Sequence, residues 1–130
     1  MRFEHWPETL SEFIEARRNT PFVWGETDCT LFAADAVKAL TGVDPAAQYR
    51  GKYSDQKGAL RLIKEAGSLS GLVPLESIPV QFASRGDVVL LDTESGQALG
   101  VHLGRVIAGQ GPTGLMFVPT SHALAAWKTA

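Results

Sequence analysis

The sequence predicts an α+β domain whose N-terminal helices pack on a small C-terminal antiparallel sheet. Three observations carry this. Apolar residues recur at helical spacing as far as Ala66. Short β-branched and aromatic runs separated by glycines fill residues 87–119. Within the first of these stretches, the segment from Cys29 to Leu40 is apolar on most sides, as a central buried helix is. With 130 residues the chain is expected to be one domain, 1–130.

The first helix runs from Glu8 to about Arg18, with Leu10, Phe13 and Ile14 at helical spacing. Pro7 suits its first turn, and Asn19 to Pro21 stops it. PFVWGETD is short, aromatic and β-branched, and turns at Gly25. The second helix, CTLFAADAVKAL, has Thr27 or Asp28 as N-cap and Gly42 as its stop. DPAAQYRGKYS reads as a loop or a short irregular helix. Ser54 or Asp55 caps a third helix reaching Ala66, with Ala59, Leu60, Leu62 and Ile63 as its packing face. SLSGLVPLESIPVQFASRG reads as loop. DVVLLD (87–92), ALGVHLG (98–104), RVIAG (105–109) and LMFVP (115–119) read as strands. Ser121 to Trp127 is expected to form a short helix.

The composition excludes several classes. A net charge of −2, without a block of one sign, supplies no basic field for nucleic acid or an anionic membrane. No stretch approaches the roughly 20 apolar residues of a membrane span. The N-terminus MRFEHWPETL lacks the apolar core of a signal peptide, which leaves the cytoplasm or carriage within a larger assembly as the expected location. One cysteine and three scattered histidines make no zinc pattern, and no cofactor is expected. GQGPTG (109–114) is a turn, lacking the Lys-Ser/Thr ending of a phosphate loop.

Cys29 is the candidate nucleophile, because it opens the second helix. The unpaired N–H groups and partial positive charge there favour a thiolate. Against this stands the ordinary reading of a free cysteine as a small buried hydrophobe. Asp28 reads first as the helix cap. Trp24 reads as core packing or as the wall of a cleft. Arg50, Lys52 and Tyr53 make a polar, aromatic loop with the composition of a contact surface. Asp87, after Gly86, reads as a turn former, and Trp127 as closing the core or docking on a neighbour.

FVWGETDCTLFAADAV resembles the nucleophile segment of NlpC-type cysteine peptidases, which are papain-like in fold. The matching positions are Phe22, Val23, Trp24, Gly25, Asp28 and Cys29. RGDVVLL (85–91) looks like that family's Gly-Asp turn entering a strand, and ALGVHLG like the strand that follows. The whole chain is more similar still to a small group of phage and prophage proteins related to that family. The features shared are WGETDC, TGVDPAAQYRGKY, the late RGDVVLL, ALGVHLG, and a terminal FVP with an AAW tail. This resemblance implies a papain-like, NlpC-type domain and a tail-tip or tail-assembly role. Other tail proteins would be its partners and the virion tail its location. It also implies, as the alternative, a cysteine peptidase or amidase acting on cell-wall peptides.

The catalytic side of the resemblance is incomplete. A thiol nucleophile of this kind needs a base and a group to orient it. The family's base position falls here on Ala98, and the nearest match to its third polar residue is Ala108. His102 is a substitute base only if the strand is irregular, since four strand residues from Ala98 span roughly 13 Å. His122, in the tail, is a second candidate base. His5 is expected at the surface. A domain that keeps the scaffold and has lost its acid–base pair is therefore the favoured expectation. A binding module unrelated to phage is a third.

Overall fold

The computed structural model describes residues 1–130. The chain forms three helices and then a six-stranded antiparallel sheet, an α+β architecture. Helix α1 (Trp6–Arg17) carries a proline in its first turn and buries Leu10 and Ile14, one helical turn apart. Helix α2 (Cys29–Thr41) is capped by the Asp28 side chain, which accepts from Leu31 N. It stops at Gly42, whose φ of +81° is the left-handed conformation glycine adopts without penalty. Its buried residues run from Thr30 to Leu40, so it lies at the centre of the molecule. Helix α3 (Gln56–Ala66) is capped by Asp55, which accepts from Gly58 N. Ala59 is its one buried residue, and Ile63 packs partly against the core. Leu60, expected on the packing face, points outward at 56% exposure.

The strands are β1 (Glu76–Ile78), β2 (Val88–Thr93), β3 (Gly96–His102), β4 (Val106–Gln110), β5 (Leu115–Pro119) and β6 (Ala123–Lys128). They lie in the order β1-β6-β2-β3-β4-β5, every pair antiparallel. Two segments depart from the sequence expectation. Residues 68–86 contain β1 and two single 3-10 turns, where only loop was expected. The tail makes a 3-10 turn at Thr120–His122 and then a strand, where a short helix was expected. Its alanines favour a helix locally. Here they instead fill the slot between β1 and β2, where the backbone pairs on both sides and small side chains let the layers close.

Register divides the sheet into two faces. Val88 pairs with Val101 and Leu90 with Leu99. These four residues, with Ala108 and Trp127, meet Phe32, Ala33, Ala36, Val37 and Leu40 of α2. Val89, Leu91, Ile107 and Ala126 point the other way, flanked on that face by their register partners Ile78, Val118 and Ala123 and packed against Ala83. Because both faces are buried, β2 reads as an unbroken apolar run, not as an alternation. Both sheet edges are blunted. β1 has three residues and is followed by Pro79. On β5, Leu115 N donates to Arg18 O and Pro119 ends the strand.

Asp87, expected only to shape a turn, joins the chain's two ends. Its carboxylate accepts from Ser84 N, from Arg2 Nη2 at 2.8 Å and from Thr129 N at 3.1 Å. Arg2 also lies over the Trp6 ring, 4.3 Å from its centroid. No helix is long and apolar enough to cross a membrane.

Candidate functional site around Cys29

The segment before α2 is a self-braced turn. Val23 O accepts from Glu26 N and Thr27 N. Thr27 Oγ1 accepts from Val23 N at 2.8 Å and donates to Pro21 O at 2.6 Å. Gly25 sits at φ +78°. A Cβ there would lie 2.3 Å from Tyr53 O, so both conformation and space require glycine. The turn delivers Asp28 with its carboxylate buried. Oδ1 accepts from Leu31 N at 3.0 Å, and Oδ2 accepts from Gly25 N at 2.9 Å and from the Tyr53 hydroxyl.

Cys29 follows as the first residue of α2, partly buried and free. Its Sγ lies 3.9 Å from Thr30 Oγ1, the one side chain hydrogen-bonded to it. Burial pushes the thiol above its ordinary value of 9.0, and the Asp28 charge adds to this. Backbone groups of Leu99 and Thr30 pull in the opposite direction without reversing it. The helix start alone therefore does not make a thiolate here. A buried sulfur beside a carboxylate keeps its proton.

The site residues read from the sequence separate into two groups. Asp28, Cys29 and Tyr53 come together, with Tyr53 as the partner of the cap. Trp24 lies beside them in the turn, 37% exposed and edge-on to Phe22 at 4.7 Å, so it is not part of the buried core. The histidines lie elsewhere. His102 ends β3 three residues beyond Leu99 and pairs with Ile107, whose side chain points away from α2. Its Nδ1 accepts from Gly104 N at 3.0 Å, the arrangement of a neutral ring. Burial lowers its pKa, and the nearby Asp87 charge opposes that only in part. His122 is exposed in the turn before β6, and His5 is exposed at the start of α1. No imidazole is hydrogen-bonded to Sγ. Ala98 pairs with Leu91 and shares its face, turned from α2. Ala108 packs against Phe32, Ala36 and Leu40.

Three further residues complete the surroundings without having been singled out in the sequence. Tyr49 packs with Tyr53 on Leu31 and Ala34, and its phenol is pushed up to about 12, chiefly by burial. The Tyr53 phenol is driven upward by burial and by its bond to Asp28. Asp35 accepts from Arg17 and Arg50, both at 2.8 Å, and so ties α1 and the loop after α2 to the central helix. Gln110, buried at the end of β4, donates to Thr20 O at 2.7 Å and so fixes the chain entering the turn. The pair of tyrosines four apart in AAQYRGKY was the available signal. Nothing local marks Gln110 or Asp35, whose partners are distant in sequence.

No curated protein matches this chain. The family described as "Domain of unknown function (DUF6950)" matches residues 1–129, virtually the whole of it. The cysteine-headed helix, the sheet across it and the loop locked to Asp28 thus all lie within one family unit, and the chain belongs to the DUF6950 family.

Proposed function

We propose that this chain is a non-catalytic domain on an NlpC-like, papain-like scaffold, acting as a tail-tip or tail-assembly component of a phage or prophage particle. The observation that carries the non-catalytic reading is a sulfur at the start of the central helix with no imidazole hydrogen-bonded to it and a pKa held up by burial. Amide cleavage needs a proton given to the leaving amine. General acid–base help of that kind contributes typically about 10²–10⁴-fold. The papain-like reading is supported by the helix-first, strands-second order and by an antiparallel sheet packed across the helix that Cys29 opens. The tail role rests on the resemblance of WGETDC, TGVDPAAQYRGKY, RGDVVLL and ALGVHLG to tail-associated proteins. Its partners would be other tail proteins, and its place the virion tail.

Complementation with Cys29→Ala in the particle that encodes the chain tests both parts. The expected result is a folded protein in assembled, infectious particles. A folded variant that yields no infectious particles contradicts the structural role. Cleavage of peptidoglycan stem peptides by the unaltered protein, lost in Cys29→Ala, would establish a peptidase instead.

A further inference from the structure

Strand β5, LMFVP, is an outer strand of the sheet, and the phase of its hydrogen bonds shows which backbone groups lie open. Gly111 N donates to Gly114 O at 2.8 Å, closing the hairpin between β4 and β5. In an antiparallel ladder, bonded and non-bonded pairs alternate. The register then makes Gly109–Met116 and Ile107–Val118 bonded pairs. Gln110–Leu115, Ala108–Phe117 and Val106–Pro119 are non-bonded. Backbone groups of Leu115, Phe117 and Pro119 therefore point away from β4. Leu115 agrees with this phase, because its N–H donates outward to Arg18 O at 2.9 Å. Proline has no N–H to offer at position 119. Phe117 is left with both backbone groups facing outward, and no backbone group outside the ladders bonds to either.

The side chains do not guard this rung. Met116 is 40% and Phe117 38% exposed, and β5 carries no charged residue. Sheet edges are ordinarily protected by shortness, charge or proline. β1, the opposite edge, has all three. It is three residues long, contains Glu76 and lies between Pro74 and Pro79. β5 is guarded only at its two ends. The Arg18 guanidinium, over the Phe117 ring at 5.2 Å, is itself paired with Glu15.

We propose that β5 is a self-association edge, pairing antiparallel with β5 of a second copy of this chain about a two-fold axis at Phe117. The occupant follows from the pattern of open groups. With Phe117 opposite its symmetry mate, each Phe117 N–H donates to the other's carbonyl. The two guarded positions, Leu115 and Pro119, then face each other. The Leu115 N–H is already bound to Arg18 O and Pro119 has none, so no donor goes unsatisfied. A register two residues away in either direction sets Phe117 against Leu115 or Pro119, and its carbonyl finds no donor. In the proposed register Met116 stands opposite Val118 of the second copy, apolar against apolar. A two-fold interface requires a patch complementary to itself, and this rung is one. A single strand pair falls below the roughly 1,200 Å² of a stable interface, so the dimer is a transient one. The proposal stands whether or not the chain serves a phage tail.

Sedimentation equilibrium of the unaltered full chain, from micromolar to near-millimolar concentration, tests it. The expected result is a reversible monomer–dimer equilibrium. Amide hydrogen exchange over the same range locates the contact. Exchange at Phe117 is expected to slow severalfold as concentration rises, whereas Leu115, bound within the chain, stays unchanged. Met116→Lys, at an exposed position, is expected to fold and to remain monomeric throughout. An equimolar mixture of Met116→Cys and Val118→Cys chains, each also carrying Cys29→Ala, is expected to form the mixed disulfide in preference to either symmetric one. Non-bonded cross-strand neighbours stand close enough for that bridge. A chain that stays monomeric up to near-millimolar concentration overturns the proposal. So does self-association that leaves exchange at Phe117 unchanged, a readout that decides the matter even if no variant folds. Association that persists in folded Met116→Lys overturns it as well, and so does a mixed disulfide no more abundant than the symmetric ones.

Discussion

At the residue scale the account turns on where protons sit. Cys29 has a raised pKa in the folded chain. The folded state therefore holds its proton at pH values where the unfolded chain has released it. The stability this contributes is complete below the unfolded value near 9.0 and is lost as pH rises through the folded value. Urea unfolding between pH 8 and 10 should show this alkaline loss, and Cys29→Ala should flatten it. The Tyr49 phenol, up near 12, adds its own loss only above the ordinary tyrosine value of 10.0. An equal slope in both proteins over that window would contradict the assignment. His102 works in the opposite direction. Its folded pKa lies below 6.5, so its contribution is full above that value and is lost as pH falls through the folded one. NMR titration should find the His102 ring titrating below 6.5. A ring serving as the base for Cys29 would be held above it by the thiolate.

At the scale of elements, the turn and the cap hold the site. Asp28→Ala removes the acceptor for Leu31 N, Gly25 N and Tyr53 at once. It should cost about 2 kcal/mol or more, beyond an ordinary exposed cap, in the midpoint of urea unfolding. Gly25→Ala should cost a similar ~2 kcal/mol, since it meets both a left-handed φ and the Tyr53 carbonyl. An Asp28→Ala change below about 0.5 kcal/mol would contradict the role given to the cap. These elements were legible in sequence because their signals are local. Asp28 before an Ala- and Leu-rich run, Gly42 after it, and Asp55 before α3 each announce a terminus within a few residues. LMFVP became β5 as read. The tail was not legible, because ALAAWK carries helix-favouring alanines and its strand state depends on β1 and β2 lying on either side. Nor was β1, whose three residues become a strand only through pairing with β6.

Across the whole molecule, the ends of the chain meet at one buried carboxylate. Asp87→Ala leaves the Arg2 guanidinium, with its side chain 13% exposed, without its partner and frees Thr129 N. Leaving a buried charge unpaired costs about 3 kcal/mol or more. Thermal unfolding should still be a single transition at a lower temperature, because both ends pack on the same core. Two separated transitions would contradict a single cooperative unit. The sequence marks Asp87 as a turn residue, but its reach to Arg2 and Thr129 spans nearly the whole chain and leaves no local trace. The same holds for the site. Cys29 and its cap are visible in eight consecutive letters, whereas the folding of Tyr53 onto Asp28 and the placing of the histidines elsewhere arise only from the fold. We propose that Cys29 stands in a nucleophile's position without a base to activate it. It is tested most directly by the pH midpoint of Cys29 alkylation in the native protein. The account predicts a single titration at or above 9.0. A midpoint below about 7, the mark of a thiolate held by an imidazolium, would contradict it.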